Sequence, residues 1–299
     1  MSPEVFWHFG IPKTGTSSFQ RWLLDSNLDE ERNFSITPRG LHEDGDRRFI
    51  ENDFAEFEDI TRAISSSKRP KFVISTEATT RYLFGAANLE KLLSTIARLN
   101  QSGHAVTLVG LLRRQDFLHG SLFGQLVRRR YVGTILDFKP NIDHYEMLSG
   151  LQAGLKAPNQ LKVAVYVEGG DSLSQLRQLM GLQGGSESPS RENASASRHL
   201  QLLLASLRDE RSKQLLFHEF QFSDTKVDYE PLMSPQERLA LLRKYEQSNR
   251  MLGHWLTPAE IDYMADEALI SSEWSIAEPI SEFDLSRAAK LVRDSSSKA

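Results

Sequence analysis

The sequence of 299 residues contains no cysteine. Disulfide bonds and thiolate metal sites are therefore excluded, and a secreted scaffold held by disulfides is not expected. No apolar run approaches the ~20 residues of a membrane-spanning helix. The sequence leads almost directly into a predicted strand, without the positively charged region and longer apolar region expected of a signal peptide. These absences predict a cytoplasmic protein without integral membrane contact.

The chain also lacks a strong excess of charge of either sign. Its formal net charge is −4 and its isoelectric point is about 6.1, so no global field attracts nucleic acid or anionic lipid. Hydrophobic residues make up 39% of the chain and charged residues 25%, which is ordinary for a globular protein. Neither an H-x-x-x-H nor an H-E-x-x-H spacing occurs, so no metal site is predicted.

Short apolar runs alternate with helical patterns through the first 180 residues. Four of these runs are predicted strands, at 5–9, 71–77, 105–112 and 161–167. Strands that alternate with helices predict an α/β fold with a parallel sheet of about four to five strands, flanked by helices. We expect a single domain with its sheet core in 1–182, a mainly helical C-terminal part in 183–293 and a tail in 294–299.

The predicted helices have clear apolar stripes and start signals. They cover the stretch after Ser18, 49–64, 88–99, 116–130, the stretch after Asp171, 200–207 and 281–293. Two capping boxes with proline at the first helical position, Ser234-Pro-Gln-Glu237 and Thr257-Pro-Ala-Glu260, predict two more helix starts. The polar stretch 25–48 is predicted to be irregular.

A short loop rich in hydroxyl groups follows the first predicted strand. It reads Gly10-Ile-Pro12-Lys13-Thr14-Gly15-Thr16-Ser17-Ser18, and a helical pattern starts directly after it. The first N–H groups of a helix lack partners within the helix and carry partial positive charge, so such a start binds anions, above all phosphate. Lys13 adds a full charge. The order differs from a Walker A loop, in which the lysine follows the second glycine.

Residues 8–20, HFGIPKTGTSSFQ, closely resemble the 5′-phosphosulfate loop of sulfotransferases that use 3′-phosphoadenosine 5′-phosphosulfate (PAPS). In that family a P-K-T-G-T-[ST] core follows the first strand. The resemblance implies a P-loop-type fold and cofactor binding by Pro12, Lys13, Thr14, Gly15, Thr16, Ser17 and Ser18. It also implies that Lys13 neutralises the bridging oxygen of the leaving adenosine 3′,5′-bisphosphate.

Arg113 and Ser121 form a second group, after the third predicted strand. A guanidinium binds phosphate oxygens with two parallel hydrogen bonds. In the sulfotransferase family an arginine follows the third strand and a serine lies eight residues later, as here. The resemblance therefore implies that this pair binds the 3′-phosphate of PAPS. The alternative is that Arg113 and Arg114 pair with surface acids and that Ser121 is a neutral helix residue.

Glu77 ends the second predicted strand and is the first candidate for a general base. Sulfuryl transfer to an alcohol requires removal of the hydroxyl proton, which a partly buried carboxylate can accept. Glu77 could instead form an ion pair with Arg81, four residues later. A histidine is the other candidate for the base. His8 lies inside the first strand and is expected in the core, whereas His119 could face the site or the solvent.

The resemblance predicts an enzyme that transfers a sulfuryl group from PAPS to a hydroxyl group. We expect a carbohydrate acceptor in a surface polysaccharide or glycolipid, bound by the segments 27–48 and 131–147. One alternative is a P-loop kinase of unusual loop order, in which Glu77 would bind Mg²⁺. Another is a non-catalytic nucleotide-binding or scaffold protein that keeps the loop but has lost turnover.

Overall fold

The computed structural model describes residues 2–11, 14–26, 31–36, 54–76, 86–127, 131–140, 142–184, 201, 204–205, 207–208, 210–221, 232–270, 286 and 290. Its sheet has five strands: β1 (Glu4–Phe9), β2 (Phe34–Ile36), β3 (Lys71–Thr76), β4 (Val106–Arg113) and β5 (Gln160–Tyr166). The strand order is β2-β3-β1-β4-β5, and every pairing is parallel. The predicted parallel α/β sheet is therefore confirmed.

Strand β2 corrects the prediction that 25–48 is irregular. Phe34 and Ile36 are buried, and they align with Lys71 and Val73 of β3. Three residues are too few to show a strand period in the sequence. Pairing with β3 and burial of Phe34 thus define this strand, rather than local propensity.

Nine helices of eight or more residues occur in the described part of the chain. They are α1 (Thr16–Asp25), α2 (Phe54–Ser66), α3 (Ala86–Gln101), α4 (Gln115–Val127), α5 (His144–Gly154), α6 (Ser172–Met180), α7 (Glu210–Gln221), α8 (Pro235–Met251) and α9 (Pro258–Ala265). The helical character of the C-terminal part is confirmed. The helix predicted at 281–293 and the tail fall almost entirely outside the described residues. No described helix has the length and apolar character needed to cross a membrane.

Both predicted capping boxes are present. The Ser234 N–H donates to Glu237 Oε2 at 2.6 Å, and the Glu237 N–H donates back to Ser234 Oγ at 3.3 Å. The Thr257 N–H donates to Glu260 Oε2 at 2.9 Å, and the return bond from the Glu260 N–H measures 3.4 Å. These reciprocal bonds begin α8 and α9 where the sequence predicted helix starts.

Helix α5 was not predicted, because 131–147 was assigned to an acceptor-binding loop. The side chain of Asp143 accepts a hydrogen bond from the Glu146 N–H at 3.0 Å and caps the helix. Leu148 and Leu151 are fully buried on its inner side. The signal in the sequence was an Asp before a first turn that contains Glu.

The chain divides into two compact units. The first comprises Met1–Arg114, Ile142–Glu192 and Tyr245–Ala265, and the second comprises Gln115–Asn141, Asn193–Lys244 and Asp266–Ala299. The sheet lies in the first unit, and the described regular structure of the second unit is helical, with 131–140 in turns and irregular chain. The prediction of one continuous domain stays a prediction.

The core of the first unit covers both faces of the sheet. Phe6 and Val109 pack in one cluster with Phe19 and Trp22 of α1 and Leu176 of α6. On the opposite face of β1, Trp7 and Phe9 are also fully buried. Since burial of each large apolar side chain contributes about 1.5–3 kcal/mol, this core fixes β1 and α1 firmly at the centre of the unit.

The second unit has its own apolar cluster and a buried ion pair. The cluster contains Phe123, Val127, Ile135, Leu204, Ala205, Leu216, Leu232 and Met233. Arg238 Nη2 lies 2.7 Å from Asp116 Oδ2, and both side chains are 5% exposed or less. The guanidinium also stacks 4.9 Å from the ring centroid of Phe117. This pair fixes the start of α4 within the unit.

Helix α9 covers the outer side of β5 through side-chain hydrogen bonds. The Val165 N–H donates to Glu260 Oε1 at 2.9 Å, and the Glu168 N–H donates to the Tyr263 hydroxyl at 3.0 Å. Gln175 of α6 donates to the Val165 carbonyl at 3.1 Å. These bonds hold the carboxyl end of β5 in a defined position.

Candidate functional site

The position of β1 in the sheet identifies where a ligand would bind. Its two neighbours are β3 on one side and β4 on the other. In an open parallel sheet, ligands bind beyond the carboxyl ends of the strands, at the point where the strand order reverses. The segment that joins Phe9 of β1 to Thr16 of α1 lies at that point.

Thr14 and Gly15 form a tight turn before α1. The hydroxyl of Thr14 donates to the Ile11 carbonyl at 2.8 Å, and its N–H donates to the same oxygen at 3.3 Å. Gly15 has φ of +83°, in the left-handed region that favours glycine, and its carbonyl accepts from the Phe19 N–H at 2.9 Å. Gly15 is also the N-cap residue and supplies no side-chain cap, so α1 starts as an anion-binding helix does.

Two glycines permit close approach around this turn. A Cβ on Gly10 would lie 2.5 Å from Thr16 Oγ1, and one on Gly15 would lie 1.9 Å from Ser172 Oγ. The Thr16 hydroxyl is buried, and it has no hydrogen-bond partner among the described residues. An unsatisfied buried hydroxyl is uncommon in a folded protein and calls for a specific explanation. In this protein the unsatisfied hydroxyl belongs to Thr16, the first residue of α1.

The structure thus brings together part of the predicted loop. Thr14, Gly15, Thr16, Ser17 and Ser18 cluster at the start of α1, and the two serines are half-buried. Pro12 and Lys13 lie outside the described residues. Glu77 does too, because the described part of β3 ends at Thr76. The roles assigned to these three residues stay predictions.

Arg113 is the last residue of β4 and pairs with Glu168. Its Nε lies 2.5 Å from Glu168 Oε1, and its Nη2 lies 2.8 Å from Oε2, so two parallel bonds join the groups. The Arg113 side chain is 6% exposed and that of Glu168 26%. The guanidinium carbon also lies 5.7 Å from the ring centroid of Tyr166. An ion pair with an acid was one of the two expectations for Arg113.

Glu168 was not predicted as a site residue. It lies two residues after the end of β5, and β5 is paired in parallel with β4, with Arg113 aligned on Tyr166. Because parallel neighbours end at the same edge of the sheet, a polar residue after β5 falls beside the end of β4. That adjacency could have identified Glu168, had the order of the strands been known from the sequence.

Arg114 and Ser121 differ in their surroundings. Arg114 is fully buried in the first unit, and its guanidinium carbon lies 5.8 Å from the ring centroid of Tyr263. Ser121 is half-buried on α4 in the second unit. A joint role of Arg113 and Ser121 on one phosphate therefore stays a prediction.

His8 lies in the core, as expected. Its Nδ1 is 2.8 Å from Ser75 Oγ, and the Phe19 ring packs edge-on against the imidazole with centroids 5.0 Å apart. Burial lowers the pKa of His8 to about 3. The ring is therefore neutral at physiological pH, and the serine it contacts lies on the neighbouring strand β3.

His119 and His144 are also buried, and each donates to a backbone carbonyl. His144 Nε2 lies 2.7 Å from the Arg113 oxygen, and His119 Nε2 lies 2.9 Å from the Phe138 oxygen. Burial lowers the pKa of both rings. A carbonyl only accepts hydrogen bonds, so Nε2 carries the proton in each neutral ring. His144 thereby fixes the backbone of Arg113.

The described site thus has two parts at the carboxyl edge of the sheet. One is the turn and helix start from Thr14 to Ser18, and the other is the Arg113–Glu168 pair beyond β4 and β5. In comparisons with known proteins, the chain matches no protein-family model and no curated protein.

Proposed function

We propose that this protein is a PAPS-dependent sulfotransferase that acts on a hydroxyl group. The observation that carries the proposal is the start of α1, which has no side-chain cap at Gly15 and lies at the reversal point of a parallel sheet. Thr14, Gly15 and Thr16, the described residues of the P-K-T-G-T sequence, occupy this position. The resemblance to the 5′-phosphosulfate loop of sulfotransferases and the location of the loop support each other.

The loop would bind the 5′-phosphosulfate end of the cofactor. The N–H groups of the first turn of α1 favour an anion through their partial positive charge. The Thr16 hydroxyl, buried and without a partner among the described residues, adds a donor whose bond a phosphate oxygen would complete. Ser17 and Ser18 follow in the same turn, and Lys13 supplies the full positive charge.

The reaction is an in-line displacement at sulfur. The acceptor oxygen attacks the sulfur atom, and the bond from sulfur to the bridging phosphate oxygen breaks. Adenosine 3′,5′-bisphosphate leaves with that electron pair, and the proton of the acceptor hydroxyl passes to Glu77 as the general base. Lys13 stabilises the charge that grows on the bridging oxygen. Positioning and charge stabilisation then account for most of the catalysis.

Arg113 would bind the 3′-phosphate that distinguishes PAPS from ATP. It lies at the carboxyl end of β4, next to β1, and its side chain is held in one orientation by Glu168. Ser121 is the second proposed ligand of this phosphate. The acceptor that we propose is a carbohydrate, and the compartment is the cytoplasm.

Calorimetric titration tests the proposal. We expect the protein to bind adenosine 3′,5′-bisphosphate without metal and more tightly than ATP with Mg²⁺. A preference for ATP with Mg²⁺ would instead favour a kinase and make Glu77 a metal ligand. Binding of neither nucleotide would favour the scaffold alternative. Transfer of labelled sulfate from PAPS to a panel of polysaccharides, with the Lys13→Ala variant as the inactive control, would then identify the acceptor.

A further inference from the structure

Both the side chain and the backbone of Arg113 are held by hydrogen bonds. Two bonds of 2.5 and 2.8 Å hold the guanidinium against the carboxylate, and the guanidinium carbon lies 5.7 Å from the Tyr166 ring centroid. The backbone of Arg113 is held separately, because its carbonyl accepts from His144. Both the main chain and the side chain of this arginine are therefore fixed before any ligand arrives.

Glu168 is in turn held by α9. Its N–H donates to the hydroxyl of Tyr263 at 3.0 Å. Three residues before Tyr263, Glu260 closes the capping box of the same helix and accepts from the Val165 N–H. Helix α9 thus bonds to the chain at two points, Val165 in β5 and Glu168 two residues beyond β5, and the second bond sets the position of Glu168.

We propose that Glu168 is a positioning residue that orients the Arg113 guanidinium toward the 3′-phosphate of the cofactor, and that Tyr263 holds Glu168 in place. This inference rests on the proposed function. A guanidinium has five N–H donors, and a two-bond pair with one carboxylate uses two of them. A carboxylate can therefore fix an arginine that also binds a phosphate, as supporting residues commonly fix a binding group.

A competing account makes the opposite prediction. If Glu168 only neutralised Arg113, it would compete with the phosphate, and its removal would strengthen binding. The burial of Arg113 favours orientation instead, since an arginine at 6% exposure that has lost this carboxylate would move to satisfy the two donors elsewhere. A guanidinium already fixed in place also loses less conformational freedom when it binds.

Calorimetry with two probes tests this inference. Adenosine 3′,5′-bisphosphate reports both phosphates, and adenosine 5′-monophosphate reports the 5′-phosphate alone. For Glu168→Ala we expect bisphosphate affinity to fall by about tenfold or more and monophosphate affinity to change by less than about twofold. Glu168→Gln keeps one acceptor oxygen and should fall between wild type and Glu168→Ala, which also provides a milder variant should Glu168→Ala unfold.

The double variant Arg113→Ala/Glu168→Ala separates positioning from a general structural role. If Glu168 acts through Arg113, its removal in the Arg113→Ala background should leave bisphosphate affinity unchanged. If removal of Glu168 lowers bisphosphate affinity equally in the wild-type and Arg113→Ala backgrounds, the inference is overturned. Tighter bisphosphate binding by Glu168→Ala would overturn it as well. Wild-type protein that binds both probes equally would overturn the proposed role of Arg113 itself, which is a different result.

Tyr263→Phe tests the support of Glu168. It removes the hydroxyl that accepts from the Glu168 N–H, and we expect a smaller loss of bisphosphate affinity in the same direction. Tyr145→Phe is the matched control, because the Tyr145 ring packs against Trp255 with centroids 6.1 Å apart. Equal effects of the two tyrosine variants would overturn the role of Tyr263.

Discussion

The hydroxyl of Ser172, the first residue of α6, packs against the α-carbon of Gly15, the N-cap of α1. A Cβ on Gly15 would lie 1.9 Å from this hydroxyl oxygen. Gly15 is therefore required for two independent reasons, its positive φ and this contact. The start of α6 thus limits which residue the loop accepts at this point.

Gly15→Ala should destabilise the protein more than a positive φ alone would. A left-handed conformation at a residue other than glycine costs about 1–2 kcal/mol, and the clash with Ser172 adds to that. Gly103→Ala is the matched control, since Gly103 has φ of +84° and a Cβ added to it would meet no atom within 4 Å. Urea unfolding of both variants checks the difference. Equal losses of unfolding free energy would mean that Ser172 moves away at little cost.

Thr16→Val should separate ligand binding from stability. The Thr16 hydroxyl is buried without a partner among the described residues, so its replacement by a methyl group should leave stability unchanged or raise it by up to about 1 kcal/mol. Affinity for adenosine 3′,5′-bisphosphate should fall. Thr14→Val is the contrasting variant, because it removes the bond to the Ile11 carbonyl and should lower stability. Unchanged bisphosphate affinity of Thr16→Val would remove this hydroxyl from the site.

Glu77→Gln should lower turnover while leaving cofactor affinity nearly unchanged. The amide cannot take the proton from the hydroxyl group that is sulfated, and loss of a general base lowers the rate by about 10²–10⁴-fold. The measurement is the turnover number with saturating PAPS, together with the dissociation constant of adenosine 3′,5′-bisphosphate. Turnover at the wild-type rate would move the role of base to another residue.

His8 should make the free energy of unfolding depend on pH in the acidic range. Burial holds its pKa near 3 in the folded protein, whereas an unfolded histidine titrates near 6.5. The unfolded state therefore binds the proton first, and stability present above pH 6.5 is lost as the pH falls toward 3.

The contribution of His8 can be isolated by substitution. Its largest slope is about 1.4 kcal/mol per pH unit, the value for one proton. His8→Asn should unfold more easily at pH 7 and should show a weaker pH dependence between 6.5 and 4. Chemical denaturation of both proteins across this range makes the comparison. The same slope in both would show that His8 is not the source.

The buried pair of Asp116 and Arg238 should be costly to break. Arg238→Ala leaves a carboxylate that is fully buried without this partner, which typically costs about 3–5 kcal/mol. The exposed pair of Arg250 and Glu246, with side chains 73% and 49% exposed, is the control. Arg250→Ala should change the unfolding free energy by less than about 1 kcal/mol. Similar losses in the two variants would show that Asp116 finds another partner.

The elements that the sequence predicted well are those with signals inside a short window. Capping boxes place Ser234 and Glu237, or Thr257 and Glu260, three residues apart, and both were confirmed because the bonds they form are local. The same holds for the apolar runs that became β1 and β4. In these elements the hydrophobic period and the capping residues lie within a few neighbouring positions of the sequence.

The features that were missed depend on contacts distant in sequence. Strand β2 exists through its pairing with β3, and Glu168 enters the site because β5 lies beside β4. Arg113 and Glu168 are 55 residues apart, so no local pattern relates them. The order of strands in the sheet determines both the pairing of β2 and the contact between Arg113 and Glu168. That order follows from packing of the whole unit.

The side chains that α9 sends to β5 also have a consequence for assembly. An edge strand with open N–H groups can pair with a strand of another chain. Here the Val165 and Glu168 N–H groups are already bonded to Glu260 and Tyr263. At its carboxyl end this edge is therefore occupied by α9, which disfavours the addition of a strand from another chain at that point.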